Sequence, residues 1–133
     1  MTLTLADATK AVTHAHAKAA QLGVAVTCAV VDTGGLLVAL ARMDGAMPLS
    51  PQIAEAKAVG AAMFGRDGAW LAQAAQDRPG FFAAADKLVR VPLVPGLGSA
   101  LIKRDGTVIG AVGVSGARPE QDVECAEAGA ASV

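Results

Sequence analysis

One lysine stands where a charge is out of place. If residues 51–64 form a helix, Lys57 shares a face with Ile53, Gly60, Ala61 and Phe64, and an ammonium among apolar side chains needs a partner. Two readings follow. Lys57 pairs with Asp44 or Asp32 and pins a loop, or it serves a bound anion as a charge clamp or proton carrier. The run Arg42-Met43-Asp44-Gly45 is either a charged strand end or the rim of the same pocket. Gly113-Val114-Ser115-Gly116 leads a strand toward a helix N-terminus, where free N–H groups and the macrodipole favour a carboxylate or phosphate. Asp122, on a helix face with Cys125, Ala126 and Gly129, can satisfy those donors itself. No histidine stands near Ser115 in the sequence, so its hydroxyl has no adjacent base for nucleophilic catalysis. Lys10, His14 and Lys18, spaced i, i+4, i+8, set an imidazole between two cations on one helix face, either solvated or a ligand surface. His16 falls with Val12 and Ala19 and reads as a core or interface histidine.

The elements that must hold these residues follow from periodicity. Residues 3–22 read as a helix burying Leu5, Ala8, Val12, Ala15, His16 and Ala19, capped by Thr4 or Thr2 and stopped by Gly23. Residues 24–31 read as a strand covered on both faces, and Asp32-Thr33-Gly34-Gly35 turns it into a second strand over 36–42. Ser50-Pro51 opens the Lys57 helix, with Ser50 as cap. A short helix near 69–76 and a looser stretch to Val91 come next. A second hairpin spans 98–102 and 107–114 about Arg104-Asp105-Gly106, and a helix runs from Pro119 to about Ala130. The order α-β-β-α-α-β-β-α implies an α+β fold with a mainly antiparallel sheet and helices packed on it.

Composition narrows the function. A chain of 133 residues with net charge −1 fits one domain over 1–133. Aromatic residues are 3% and no basic cluster occurs, which argues against nucleic acid. No apolar run approaches the ~20 residues of a membrane span, and the N-terminus lacks the pattern of a signal peptide, so the expectation is a cytoplasmic protein without a membrane partner. Cys28 and Cys125 make no metal-ligand spacing and no disulfide framework, and no metal site is expected. Charged residues are only 17% while 31 positions are Ala, pointing to a homo-oligomer with closely packed, low-charge helix faces.

Several motifs in order carry a resemblance: Ala29-Val30-Val31-Asp32-Thr33-Gly34-Gly35, Arg42-Met43-Asp44-Gly45-Ala46, Glu55-Ala56-Lys57-Ala58, and Gly110-Ala111-Val112-Gly113-Val114-Ser115-Gly116 followed by Pro119-Glu120-Gln121-Asp122. Over nearly its whole length the chain resembles the GlcG/HbpS-like haem-binding family, also called the haem-degrading domain family. The resemblance implies a profilin-like sheet of about five strands, oligomeric assembly, a catabolic-pathway setting for some members, and haem or another tetrapyrrole as ligand. On that implication His14 becomes the candidate axial ligand and Lys10 and Lys18 the partners of the propionates. The competing reading is a small cytoplasmic enzyme acting on a carboxylate-bearing metabolite. Its pocket is built from Lys57, Arg42, Asp44, Ser115, the Pro95-Gly96 loop and the Gly113 to Gly116 turn. Two departures stand out. Pro95-Gly96-Leu97-Gly98-Ser99 replaces the family's usual Pro-Gly-Gly, small apolar residue, Pro, and Arg118 stands where a capping Thr or Ser is usual.

Overall fold

The computed structural model describes residues 2–133. Its elements are α1 (Leu5–Leu22), β1 (Thr27–Asp32), β2 (Leu37–Arg42), α2 (Ser50–Phe64), α3 (Gly68–Asp77), α4 (Pro79–Ala85), β3 (Ser99–Arg104), β4 (Thr107–Ser115) and α5 (Pro119–Ala131). The α+β class and antiparallel sheet hold, with strand order β2-β1-β4-β3. The sheet has four strands among the described residues, where the resemblance implies about five. Each hairpin supplies two strands, and the long connection between them is used up by α3, α4 and irregular backbone.

The sheet lies between two helical layers, with α1 and α5 on one face and α2 on the other. Small side chains set the spacing. Ala8, Ala11, Ala15 and Ala19 of α1 and Ala126 of α5 are buried against Cys28, Val30, Val112 and Val114, while Ala58 and Val59 of α2 cover Val31 and Ala111. Gly113 on β4 marks the tightest approach: a Cβ there would collide with the Ala54 carbonyl and the Ala58 N–H of α2. Any side chain at 113 pushes the helix off the sheet. Cys28 and Cys125 are buried in the α1/α5 layer. Burial pushes their thiols up to about 12 and about 11, which leaves both inert near neutral pH.

Local chemistry explains the element ends. Asp32 Oδ1 accepts the N–H groups of Gly34 at 2.9 Å and Leu36 at 3.0 Å, an Asx turn that folds the first hairpin. Ser50, expected to cap α2, is instead its first residue and is spent elsewhere: its Oγ lies 2.7 Å from Thr27 Oγ1 in the core. Leu5, expected on the buried face of α1, is 63% exposed; it is the first residue of the helix, whose buried stripe starts at Ala8. The stretch expected to be loose contains α4, with Pro79 at its first turn. That helix completes a cluster of the chain's four aromatic rings, in which Phe64 stacks on Phe82 at 5.2 Å between centroids. No helix among the described residues is long and apolar enough to cross a membrane.

The start of α1 carries a charge-dependent lock. Thr4 Oγ1 accepts from the Asp7 N–H and Asp7 Oδ2 accepts from the Thr4 N–H, each at 3.0 Å, a reciprocal capping box. Asp7 Oδ1 also meets Arg104 at 3.1 Å, tying α1 to β3. The Thr4 N–H first, and Arg104 with it, outweigh partial desolvation and hold the Asp7 carboxyl below its ordinary value. A carboxyl lowered in the folded state stabilises it above the unfolded pKa of about 4, and this is lost as pH falls through the folded value. Urea midpoints measured between pH 6 and pH 3 should therefore fall less steeply for Asp7→Asn than for the parent chain. Equal slopes would show that the lock contributes nothing.

Candidate functional site

Lys57 sits midway along α2, on a helix buried nearly all round, which explains why its apolar neighbours in sequence are no guide to its partner. Its side chain is 9% exposed. The Nζ donates to the Val114 carbonyl at 2.9 Å and to Asp122 Oδ2 at 3.3 Å. The second carboxylate oxygen, Oδ1, accepts the Ala117 N–H at 3.1 Å. One buried carboxylate thus answers both the ammonium of α2 and a free donor ahead of α5. Burial pushes the Asp122 carboxyl above its ordinary value, against the opposing pull of Lys57 and of the Ala117 N–H.

The sequence expectation paired Lys57 with Asp44 or Asp32; the structure corrects it to Asp122. Asp32 is occupied in the hairpin turn, and Asp44 is exposed and forms no ion pair among the described residues. Arg42 is also exposed, and its Nη1 turns back to the Ala46 carbonyl at 3.2 Å. The two therefore close a corner after β2 and are not partners of the lysine.

The turn from β4 to α5 is filled from within the chain. Asp122 takes the Ala117 N–H, and Gln121 Oε1 accepts the Arg118 N–H at 3.1 Å, the return half of a capping box, while the Arg118 side chain makes no cap bond to the first turn. Ser115 is buried at the end of β4 opposite Thr27. Gly116, at φ 133°, brings the backbone against strand β1's lead-in, where a Cβ would sit 2.8 Å from the Ala25 carbonyl. Gly98 closes the other side of the lysine. It has φ 121°, and a Cβ on it would lie 2.7 Å from Lys57 Nζ and 2.7 Å from the Val114 carbonyl. The loop Pro95-Gly96-Leu97-Gly98 therefore sets a glycine against the ion pair. Pro95 packs beside Gly60, Leu71 and Leu93 in a seam too narrow for water, and the Gly96 carbonyl abuts Gly68. An apolar cleft of about 280 Å3 lies elsewhere on α2, between its first turns and Val91, Pro92 and Val94.

The other candidate group lies on the outer face of α1. Lys10 and His14 are exposed and Lys18 is half-buried. His14 Nδ1 lies 2.9 Å from the Lys10 carbonyl. A carbonyl only accepts, so Nδ1 carries the proton and the Nε2 lone pair of the neutral ring is left for another partner. Lys18 reaches Glu124 of α5 at 3.9 Å in an exposed pair, an interaction worth little in water. His16 is different: its Nε2 meets the Ala41 carbonyl of β2 at 3.1 Å and is half-buried.

This fold and these motifs match known proteins over the full chain. The model of a family described as haem degrading protein HbpS-like matches residues 3–131. The chain belongs to the HbpS-like family. Among its relatives, an uncharacterized 15.0 kDa protein from the dhaT-dhaS intergenic region of Citrobacter freundii is 37% identical over 127 residues, covering 95% of this chain and 88% of that one. Protein GlcG of Escherichia coli K12 is 37% identical over 91 residues, covering 68% and 63%. A solved double mutant of HbpS from Streptomyces reticuli superposes with TM-score 0.88 at 31% identity, covering all of this chain and 88% of that one. A PduOC:haem complex does so with TM-score 0.87 at 29% identity, covering 100% and 96%.

Within this HbpS-like domain, sequence reasoning missed Asp122 as the partner of Lys57 and Gly98 as the residue against it. A signal existed. Asp122 falls on a face with Cys125, Ala126 and Gly129, so the chain presents one buried anion and one buried cation, each lacking a mate nearby in sequence. Removing one member of such a pair strands the other in the core. Lys57→Met should fold with stability reduced by about 3–5 kcal/mol, read from urea unfolding. A variant of unchanged stability that fails to bind ligand would instead make Lys57 a ligand clamp.

Proposed function

We propose that this protein binds haem, or another iron tetrapyrrole, on the outer face of α1, with His14 as axial ligand and Lys10 and Lys18 pairing with the propionates. The observation that carries this reading is the His14 ring: it is exposed, and its Nδ1 proton is held by the Lys10 carbonyl. Ligating histidines are oriented in this way, with one nitrogen fixed by a carbonyl or carboxylate and the other presented to the metal. The two lysines flank it on the same stripe, and among the described residues Lys10 forms no ion pair. The haem named for the related PduOC structure and the family's description support the choice of ligand.

The donor set fits the group in ligand and in charge. Lys10 and Lys18 orient the carboxylates, and the hydrogen bond to Lys10 holds the imidazole plane. When bound, haem supplies the redox-active iron and any chemistry of its open coordination position. The aromatic rings lie on the opposite side of the domain, around α3 and α4, so the α1 face offers a surface site without stacking walls. Lys57 has no part in this reading, since its ammonium is already held by Asp122.

Titration with hemin should give a Soret shift that is lost in His14→Ala and kept in His16→Ala. Lys10→Ala and Lys18→Ala should weaken binding several-fold, with the effect fading at high salt. A shift that survives His14→Ala removes the ligand assignment, and no shift in the parent chain removes the haem reading altogether.

A further inference from the structure

A cavity of about 250 Å3 opens where three elements meet at the edge of the sheet. Asp67 stands before α3, Ser99, Ala100, Leu101 and Lys103 belong to β3, and Glu127 comes from α5. Leu101 packs toward α2 and Ala100 toward α5, so the cavity wraps the outer side of the strand. It differs from the apolar cleft on α2, whose charged lining residue, Glu55, is already paired with Arg90 at 2.7 Å.

One wall of the cavity is a hydroxyl with nothing to bond. Ser99 is 5% exposed, and its Oγ is the one buried side-chain polar atom among the described residues without a hydrogen-bond partner. Such a group costs stability unless something meets it. The Oγ is turned toward the start of α3, since a Cβ on Gly68 would lie 2.9 Å from it. There Asp67 Oδ1 is spent on the Trp70 N–H at 3.1 Å, and the N–H groups of Gly68 and Ala69 have no partner within the helix.

The charges around this hydroxyl are uncommitted. Asp67, Lys103 and Glu127 form no ion pair, with one another or with any other described residue. A metal ion suits them poorly: no third His, Cys, Asp or Glu among the described residues joins the two acids, and Lys103 opposes a cation. A simple anion would meet two carboxylates. A molecule that carries both signs satisfies all three groups.

We propose that this cavity binds a small zwitterion of the amino-acid class, its carboxylate held by Lys103 and the Ser99 hydroxyl and its ammonium by Asp67 and Glu127. The site shares no residue with the His14 stripe on α1, so it stands independently of the haem reading.

The test uses the 15N-labelled full chain without haem. L-Alanine and 4-aminobutyrate, which hold their charges at short and long separation, would be titrated and the amide signals of Gly68, Ser99 and Lys103 followed. At least one should shift all three saturably, while propionate and propylamine, each with one charge, bind at least about tenfold more weakly. Lys103→Met and Ser99→Ala should each weaken the amino acid by a similar factor. Ser99→Ala should also keep or raise the urea midpoint, because it deletes an unpaired hydroxyl. The proposal is overturned if neither amino acid moves these signals, or if propionate or propylamine binds as well. Ser99→Ala or Lys103→Met binding like the parent chain overturns it too, by leaving the hydroxyl or the ammonium without a part in the site.

Discussion

Two opposite charges buried where four segments meet fix the geometry of this domain. Lys57 comes from α2, Asp122 from α5, the Val114 carbonyl from β4, and Gly98 from the lead-in to β3. Relative to apolar residues of the same volume, such a pair adds little net stability. What it adds is a heavy penalty for any packing that separates its members, since each alone is an uncompensated charge in the core. The helices α2 and α5 lie on opposite faces of the sheet, so the pair joins the two layers past the end of β4. The close approach of α2 to Gly113 belongs to the same constraint, because the lysine reaches Asp122 only if the helix lies directly on the strand.

This arrangement separates holding from binding. A pocket lysine beside a glycine-rich turn and a helix N-terminus resembles an anion site when read along the chain. In three dimensions the anion is the chain's own carboxylate, and the donors before α5 are taken by Asp122 and Gln121. The chemistry left available lies on the surface of α1, where His14 has one nitrogen fixed and the other open. That face does not bear on the ion pair, which leaves the surface of the domain able to change without disturbing its core.

Much of the fold was legible because local rules and tertiary packing agree. The period of α1, the Asx turn at Asp32, Pro119 before α5 and the two hairpins each carry a signal within a few residues, and the family motifs add the sheet around them. Legibility failed where a residue's partner lies far along the chain. Nothing near Ser50 shows that its hydroxyl will bond Thr27 and not cap α2. Nothing near Lys57 shows a carboxylate 65 residues away. The period does not reveal the lysine's surroundings, because residues 56–61 around it are buried on every side of the helix and offer no polar face to orient it. The aromatic cluster at α4 was missed for a related reason: Pro79 carries the start signal, but a seven-residue helix has too few turns to show a period.

The central claim is that Lys57 and Asp122 act as a single unit, and a double-mutant cycle measures that directly. Lys57→Met, Asp122→Asn and the double variant would be compared with the parent chain by urea unfolding at pH 7. Asn can keep the bond to the Ala117 N–H while removing the charge, so the cycle isolates the ion pair. The account predicts that the double variant is less destabilised than the sum of the single ones, with a coupling at the upper part of the ~0.5–3 kcal/mol range found for residues in contact. Additivity within about 0.3–0.5 kcal/mol, as for independent sites, would contradict it.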